Sequence, residues 1–239
     1  MLHALTRHQC SLMKISSRRI VRSGLKNGLI LLAIILCISS AQVILFKYVN
    51  PPFTPLMLYR LAHREGMQYR WKPLSWMSPF FQQAVLASED QRFLDHNGFD
   101  FNQINEALQE YADNKPLRGA STISMQVARN LFLWQGHSWI RKSLEAYYTV
   151  LIELLWDKQR ILESYLNVAE WGKGIFGAEA AAIHYFRCSA SAVSREQAAL
   201  LAAVLPNPRK WSPLRPTASV LRRKAFILKH MNRFKPLRN

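Results

Sequence analysis

The chain has 239 residues, 49% of them hydrophobic, and carries 32 Lys or Arg against 15 Asp or Glu, a formal net charge of +17 at pH 7. That length holds one domain of ordinary size plus an anchor, and the charge points to an anionic partner: nucleic acid, membrane surface or a phosphorylated substrate. Three cysteines, scattered histidines and no glycine-rich phosphate loop exclude a disulfide scaffold, a zinc centre of recognisable spacing and a P-loop.

Residues 1–27 read as a basic tail, and residues 1–47 together hold seven Lys or Arg and no acid. The remainder carries 25 basic against 15 acidic residues, so the globular part is itself basic. Residues 28–46, Gly28 to Phe46, form a run of 19 without a charge, long enough to span a hydrocarbon core as a helix. Arg18, Arg19, Arg22 and Lys26 precede it and only Lys47 closes it, so the positive-inside rule puts the N-terminus in the cytoplasm and the rest outside. Ser39-x-Ala41 mimics a signal-peptide cleavage site, but apolar continuation through Phe46 favours an uncleaved anchor. On this topology Cys10 is cytoplasmic, Cys37 intramembrane and Cys188 alone outside, leaving no intramolecular disulfide to the outer domain. Residues 47–78, with Pro51, Pro52, Pro55 and Pro73, read as a juxtamembrane connector. Its Arg60, Arg64, Arg70 and Lys72 suit anionic headgroups and ordinary solvated surface about equally.

From Pro79 to Asn239 the pattern is that of one compact α domain, with helical periodicity near 79–92, 100–113, 121–131, 138–156, 158–168, 178–186, 194–205 and 217–233. Ser78 and Pro79 supply an N-cap and a first helical residue. Phe81, Val85 and Glu89 then follow at i, i+4, which places Glu89 on a face with two core residues. A carboxylate on an apolar face loses hydration and becomes a credible proton acceptor near neutral pH. Asn97-Gly98 is a strong turn signal that folds the acidic cluster back over the helix end. By composition alone, a helix end with solvated carboxylates is the plainer reading.

The block Glu89-Asp90-Gln91-Arg92-Phe93-Leu94-Asp95-His96-Asn97-Gly98-Phe99-Asp100 nevertheless resembles the first signature of the peptidoglycan glycosyltransferases (glycosyltransferase family 51), E-D-x-x-F-x-x-H-x-G-F-D. Every specified position is met. The resemblance makes Glu89 the catalytic base and implies Asp90, Phe93 and His96 as substrate-binding residues.

Further along, Ser121 or Thr122 can cap a helix on which Gln126, Arg129 and Asn130 lie within one turn. Such amide and guanidinium donors suit a phosphate or a sugar, and equally a capped helix with a polar face. Residues 119–133 resemble the second signature, G-G-S-T-[IL]-[ST]-x-Q-x-x-[KR]-N-L, with Ala120 in place of the second Gly. Trp134 and Trp139 suit a core or a membrane interface, and the resemblance favours the membrane. Arg141 and Glu145 stand at i, i+4, a local salt bridge by spacing alone. Arg141-Lys142-Ser143-Leu144-Glu145 also resembles the third signature, R-K-x-x-E, whose Glu is the family's second essential carboxylate. Two carboxylates, Glu89 and Glu145, are then expected in one cleft amid cations. Residues 158–167 match K-x-x-I-L-E-x-Y-L-N, read mostly as architecture with Glu163 a structural acceptor. Residues 178–206 look like the fifth region, except that Arg187-Cys188 stands where members often carry a basic residue after Tyr-Phe.

The resemblance, closest to the monofunctional enzymes, implies a mainly α, lysozyme-like glycosyltransferase domain behind a single transmembrane helix in the bacterial inner membrane. The Ser-x-x-Lys at Ser11 to Lys14 lies before the anchor and is a chance match to a transpeptidase nucleophile. The implied reaction polymerises lipid II on a lipid-linked growing glycan. Ser121, Thr122, Gln126, Arg129, Asn130, Arg141 and Lys142 are then substrate-binding residues, the cations facing the diphosphate. Glu145 either orients these cations or holds a divalent Mg or Mn. Other cell-wall or division proteins are conceivable partners; nucleic acid is not expected. The rivals are a lysozyme-like or lytic glycan-cleaving enzyme and a non-enzymatic basic membrane protein, which leaves the Glu89 block unexplained.

Overall fold

The computed structural model describes residues 2–113, 119–136 and 138–237, with side chains from Gly24 onward. Cys10, Arg18, Arg19 and Arg22 of the tail therefore have side chains outside the described residues, as has His137. The chain divides into two compact units, Met1–Tyr48 and Val49–Asn239.

The first unit is one helix, α1 (Leu2–Tyr48). From Gly24 to Tyr48 its mean hydropathy is 2.8, and among the described residues it alone is long and apolar enough to cross a membrane. Leu29, Ile30, Leu31 and Leu32 are all exposed. At about 100° per residue, four consecutive apolar side chains cover every side of the helix, as a lipid-facing helix requires and a surface helix does not.

The second unit begins earlier than the expected connector allows. Thr54 accepts the Met57 N–H at 3.3 Å and caps α2 (Pro55–Ala62), which puts Leu56 and Met57 into a core with Phe176. A three-stranded sheet follows the order β1-β3-β2. Here β1 (Gln68–Tyr69) runs parallel to β3 (Ile175–Phe176), and β2 (Glu170–Gly172) pairs antiparallel with β3. Residues 49–78 are thus part of the domain, and strands of two or three residues carry no period that a sequence can display. Arg60 is neither headgroup-facing nor solvated: its guanidinium pairs with Glu170 at 2.9 Å.

The expected helices form: α3 (Pro79–Glu89), α4 (Phe101–Ala112), α5 (Ile123–Phe132), α6 (Trp139–Leu155) and α7 (Lys158–Val168), then α8 (Ala178–Phe186), α9 (Arg195–Val204) and α10 (Ala218–His230). Their starts follow local chemistry. Asp100, Thr122, Ser138, Asp157 and Thr217 each accept a backbone N–H of the first turn, and Ser194 with Gln197 makes a full capping box. Ser78 holds the N-cap position without a side-chain cap; its N–H instead donates to the Ala190 carbonyl at 2.9 Å. α3 packs against α9 and α10, and α5 against α6 and α7. Phe81 of α3 meets Trp171 of β2 edge-on at 5.7 Å, both wholly buried.

Two glycines are required by this packing. Gly98 has φ +89°, and a Cβ there would stand 2.7 Å from the Thr149 methyl. Gly174, φ +70°, passes so close to residues 65–66 that a Cβ would lie 2.5 Å from the Glu65 carbonyl oxygen. Gly98→Ala is expected to cost about 2 kcal/mol, from positive φ and steric conflict together, seen as a lowered thermal midpoint of the detergent-solubilised chain.

Candidate active site

The site begins where α3 stops. Asp90 is its C-cap, at φ −158°, with a carboxylate only 1% exposed. That carboxylate accepts the Ile123 N–H at 3.0 Å and a hydrogen bond from His96 Nε2 at 2.9 Å. The Gly98 N–H donates to His96 Nδ1 at 3.1 Å, so the ring proton sits on Nε2. Thr122 ties the same two segments, accepting the Met125 N–H and donating to the Gly98 carbonyl at 2.6 Å. Phe93 is buried beneath, with the Lys158 ammonium 4.6 Å from its ring centre. Of the expected substrate-binding residues, Asp90, Phe93, His96 and Thr122 are thus held in the clip that joins the loop after α3 to the start of α5, and Asp90 also lines the cleft beside Glu89.

Glu89, the last residue of α3, is left at the edge of a cleft of about 930 Å³ walled by Ser121, Gln103, Pro206, Arg223 and Phe226. Its side chain is 13% exposed. Oε1 accepts from the Ser88 hydroxyl at 2.9 Å and Oε2 from the Gln126 amide at 3.2 Å. The Arg223 guanidinium stands 3.8 Å from Oε1. The Tyr165 hydroxyl donates to Gln126 Oε1 at 3.4 Å, which fixes the orientation of that amide. Burial, reinforced by the nearby Glu89 charge, pushes the Tyr165 phenol well above its ordinary value and keeps it a donor.

Gln126 and Pro206 link this cleft to a second, of about 260 Å³, lined by Arg129, Asn130, Arg141, Arg60 and Trp134. Glu145 is not in its wall. It is 1% exposed beneath the cations, with Oε2 paired to Arg141 at 2.9 Å and Oε1 to Lys142. The expectation of two carboxylates facing one cleft thus becomes one carboxylate at a cleft and one behind it, because a buried ion persists only when its oxygens are taken. With Arg141 on one oxygen and Lys142 on the other, a divalent cation at Glu145 would meet two like charges, and this set of residues does not fit it. Asp90, His96 and Asp100 bring ligand atoms within 4.8 Å of one another, but each already has its own hydrogen bonds. Among the described residues Arg129 makes neither an ion pair nor a side-chain hydrogen bond, whereas Arg60 and Arg141 are each neutralised by a carboxylate. Trp139 and Ile140 at the start of α6 are 89% and 71% exposed.

With this geometry in view, the relatives are informative. Residues 57–232 match the family model for Transglycosylase. The chain belongs to the transglycosylase family. It is 54% identical over 196 residues to a biosynthetic peptidoglycan transglycosylase of Pseudomonas fluorescens, covering 80% of this chain and 82% of the relative. A protein of the same name from Caulobacter vibrioides is 45% identical over 206 residues, covering 86% and 90%. The mainly α, lysozyme-like glycosyltransferase fold implied by the signatures is the fold of this transglycosylase domain.

Two participants escaped sequence reasoning. Arg223 lies in a run, Arg222-Arg223-Lys224, that reads as solvated surface, and its partner Ser88 is 135 residues away. Ser88 borders the first signature but is not one of its specified positions.

Removing the buried anion tests the second cleft: Glu145→Ala leaves Arg141 unpaired and is expected to destabilise the transglycosylase domain by about 3 kcal/mol, read by denaturant unfolding. A pH test concerns Asp100. Burial raises its pKa, but the Gln103 N–H and the Arg92 guanidinium, at 2.6 Å, more than offset this and hold the carboxyl below its ordinary value. A depressed folded-state pKa contributes stability that is present above the unfolded value of about 3.9 and lost as pH falls through the folded one. Asp100→Asn should therefore be less stable at neutral pH and show a flatter stability–pH curve in acid.

Proposed function

We propose that this transglycosylase polymerises lipid II into β-1,4-linked glycan strands for peptidoglycan, with Glu89 as the general base and release of undecaprenyl diphosphate. The observation that carries the reading is the pairing of clefts through Gln126: a carboxylate at one edge and, in the adjoining wall, the Arg129 guanidinium, which has no carboxylate partner among the described residues. A lipid-linked glycan is the donor, its diphosphate against Arg129, Arg141 and the half-exposed Lys142. The acceptor sugar enters the wider cleft and presents its 4-hydroxyl to Glu89. As the acceptor oxygen bonds to the donor's anomeric carbon, the bond from that carbon to the diphosphate breaks and the hydroxyl proton passes to Glu89. Attack opposite the leaving group inverts α to β. Charge growing on the diphosphate is met by cations already in place. Glu145 acts as a positioning residue: it holds Arg141 and Lys142 side by side and touches no substrate. The chain's own cations answer the diphosphate charge.

The substrates' lipids agree with α1 as a single-pass anchor, with the basic tail in the cytoplasm and the domain on the periplasmic face of the inner membrane. Such an anchor confines enzyme and substrate to one surface and raises their effective concentration. The exposed Trp139 and Ile140 are the side chains best suited to touch that surface.

The test is lipid II polymerisation by the full chain in detergent, with pre-formed glycan as a parallel substrate. Wild type is expected to make polymer and Glu89→Gln to lose at least about 100-fold in rate while keeping its thermal midpoint. Cleavage of the pre-formed glycan without synthesis would make the protein a lytic enzyme instead.

A further inference from the structure

Neither Ser88 nor Arg223 has a part in the reaction as written above, yet both converge on Glu89. The Ser88 oxygen lies 2.9 Å from Glu89 Oε1, 3.3 Å from the Ala202 carbonyl oxygen of α9 and 3.2 Å from Arg223 Nη2 of α10. A serine hydroxyl has one proton and two lone pairs, and an arginine only donates. Arg223 therefore occupies one lone pair of Ser88, and the single proton serves either Glu89 or Ala202, never both.

We propose that Ser88 and Arg223 are positioning residues for Glu89, with the Ser88 hydroxyl switching between two acceptors as Glu89 gains and loses its proton. This rests on Glu89 being the base. While Glu89 is a carboxylate, Ser88 donates to Oε1 and Gln126 to Oε2, so both oxygens are held and the carboxylate plane is fixed. When the acceptor hydroxyl gives up its proton, the glycosidic bond forms, the bond to diphosphate breaks and Glu89 becomes a carboxylic acid. Ser88 keeps its own proton but turns it to the Ala202 carbonyl, and its freed lone pair accepts the new Glu89 O–H. One torsional rotation thus satisfies both protonation states, where a fixed donor would face an O–H after transfer and leave a half-buried polar group unmatched. Arg223 supplies the fixed reference, its N–H holding the Ser88 oxygen in place in either state.

The experiment measures kcat and KM for lipid II polymerisation by the full chain in detergent, with Ser88→Ala, Ser88→Thr, Arg223→Gln and the double variant Ser88→Ala/Arg223→Gln. Alanine is a better helix former than serine, so Ser88→Ala in the last turn of α3 is expected to fold, checked by thermal midpoint. Ser88→Ala should lower kcat about tenfold with KM changed less than about threefold, and Ser88→Thr, which restores the hydroxyl, should recover most of it. Because Arg223 is argued to act through Ser88, the double variant should be no slower than about the worse single one. Wild-type kcat in Ser88→Ala, or losses that multiply in the double variant, would overturn the switch while leaving Glu89 as base. Absence of polymer from folded wild type would instead remove the base assignment, and the switch with it.

Discussion

Asp90 occupies the position where α3 would otherwise continue, and its carboxylate has partners that a straight helix cannot offer. A carboxylate at 1% exposure needs hydrogen bonds to replace water, and it finds them in the Ile123 N–H and the His96 ring. Reaching them takes the backbone out of helical geometry, which ends α3 at Glu89 and turns the loop back through Gly98. Thr122 and Lys158 then close the loop from α5 and α7, the lysine donating to the His96 carbonyl at 2.6 Å. Everything that gives Glu89 an open side follows from this clip.

The second constraint is electrostatic. The same residue types fill different offices according to what surrounds them. Arg60 is held by Glu170, and Arg141 by the wholly buried Glu145, so each carries its charge into the cleft wall already countered. Arg129 has no such partner among the described residues, and Lys142 shares Glu145 while remaining 42% exposed. Buried pairs contribute little net stability but fix geometry, whereas an unpaired cation at a cleft attracts an anion. A cleft with two countered guanidinia, Arg60 and Arg141, and a third, Arg129, without a carboxylate partner among the described residues combines a rigid frame with an attractive field. Around Glu89 the centre is instead an anion: Ser88 and Gln126 donate to its two oxygens, and Arg223 donates to Ser88.

How much of this was legible before the tertiary structure followed from the range of the forces involved. Helix positions were readable because caps such as Thr122 and Ser194 act within three residues and the apolar period repeats within one turn. The apolar span was readable because it depends on composition alone. Glu89 stood out through its spacing from Phe81 and Val85 and through the signature it opens, and the Arg141–Glu145 pair through its i, i+4 spacing. The place of residues 49–78 in the domain was not readable. Their contacts with Asn167, Glu163 and Glu170 bridge 89 to 110 residues of chain, and a two-residue strand has no pattern of its own.

The sequence by itself determined the helical inventory, the anchor-like span and the identity of the residues that can donate, accept or carry charge, since these are properties of a residue and its near neighbours. Only the tertiary structure decided which of those residues face a cleft and which face one another. It held Asp90, His96 and Thr122 in one clip, sank Glu145 behind its cations, and brought Arg223 across 135 residues to Ser88. The reason is that direction and burial are set by packing between elements distant in the chain, about which no local pattern carries information.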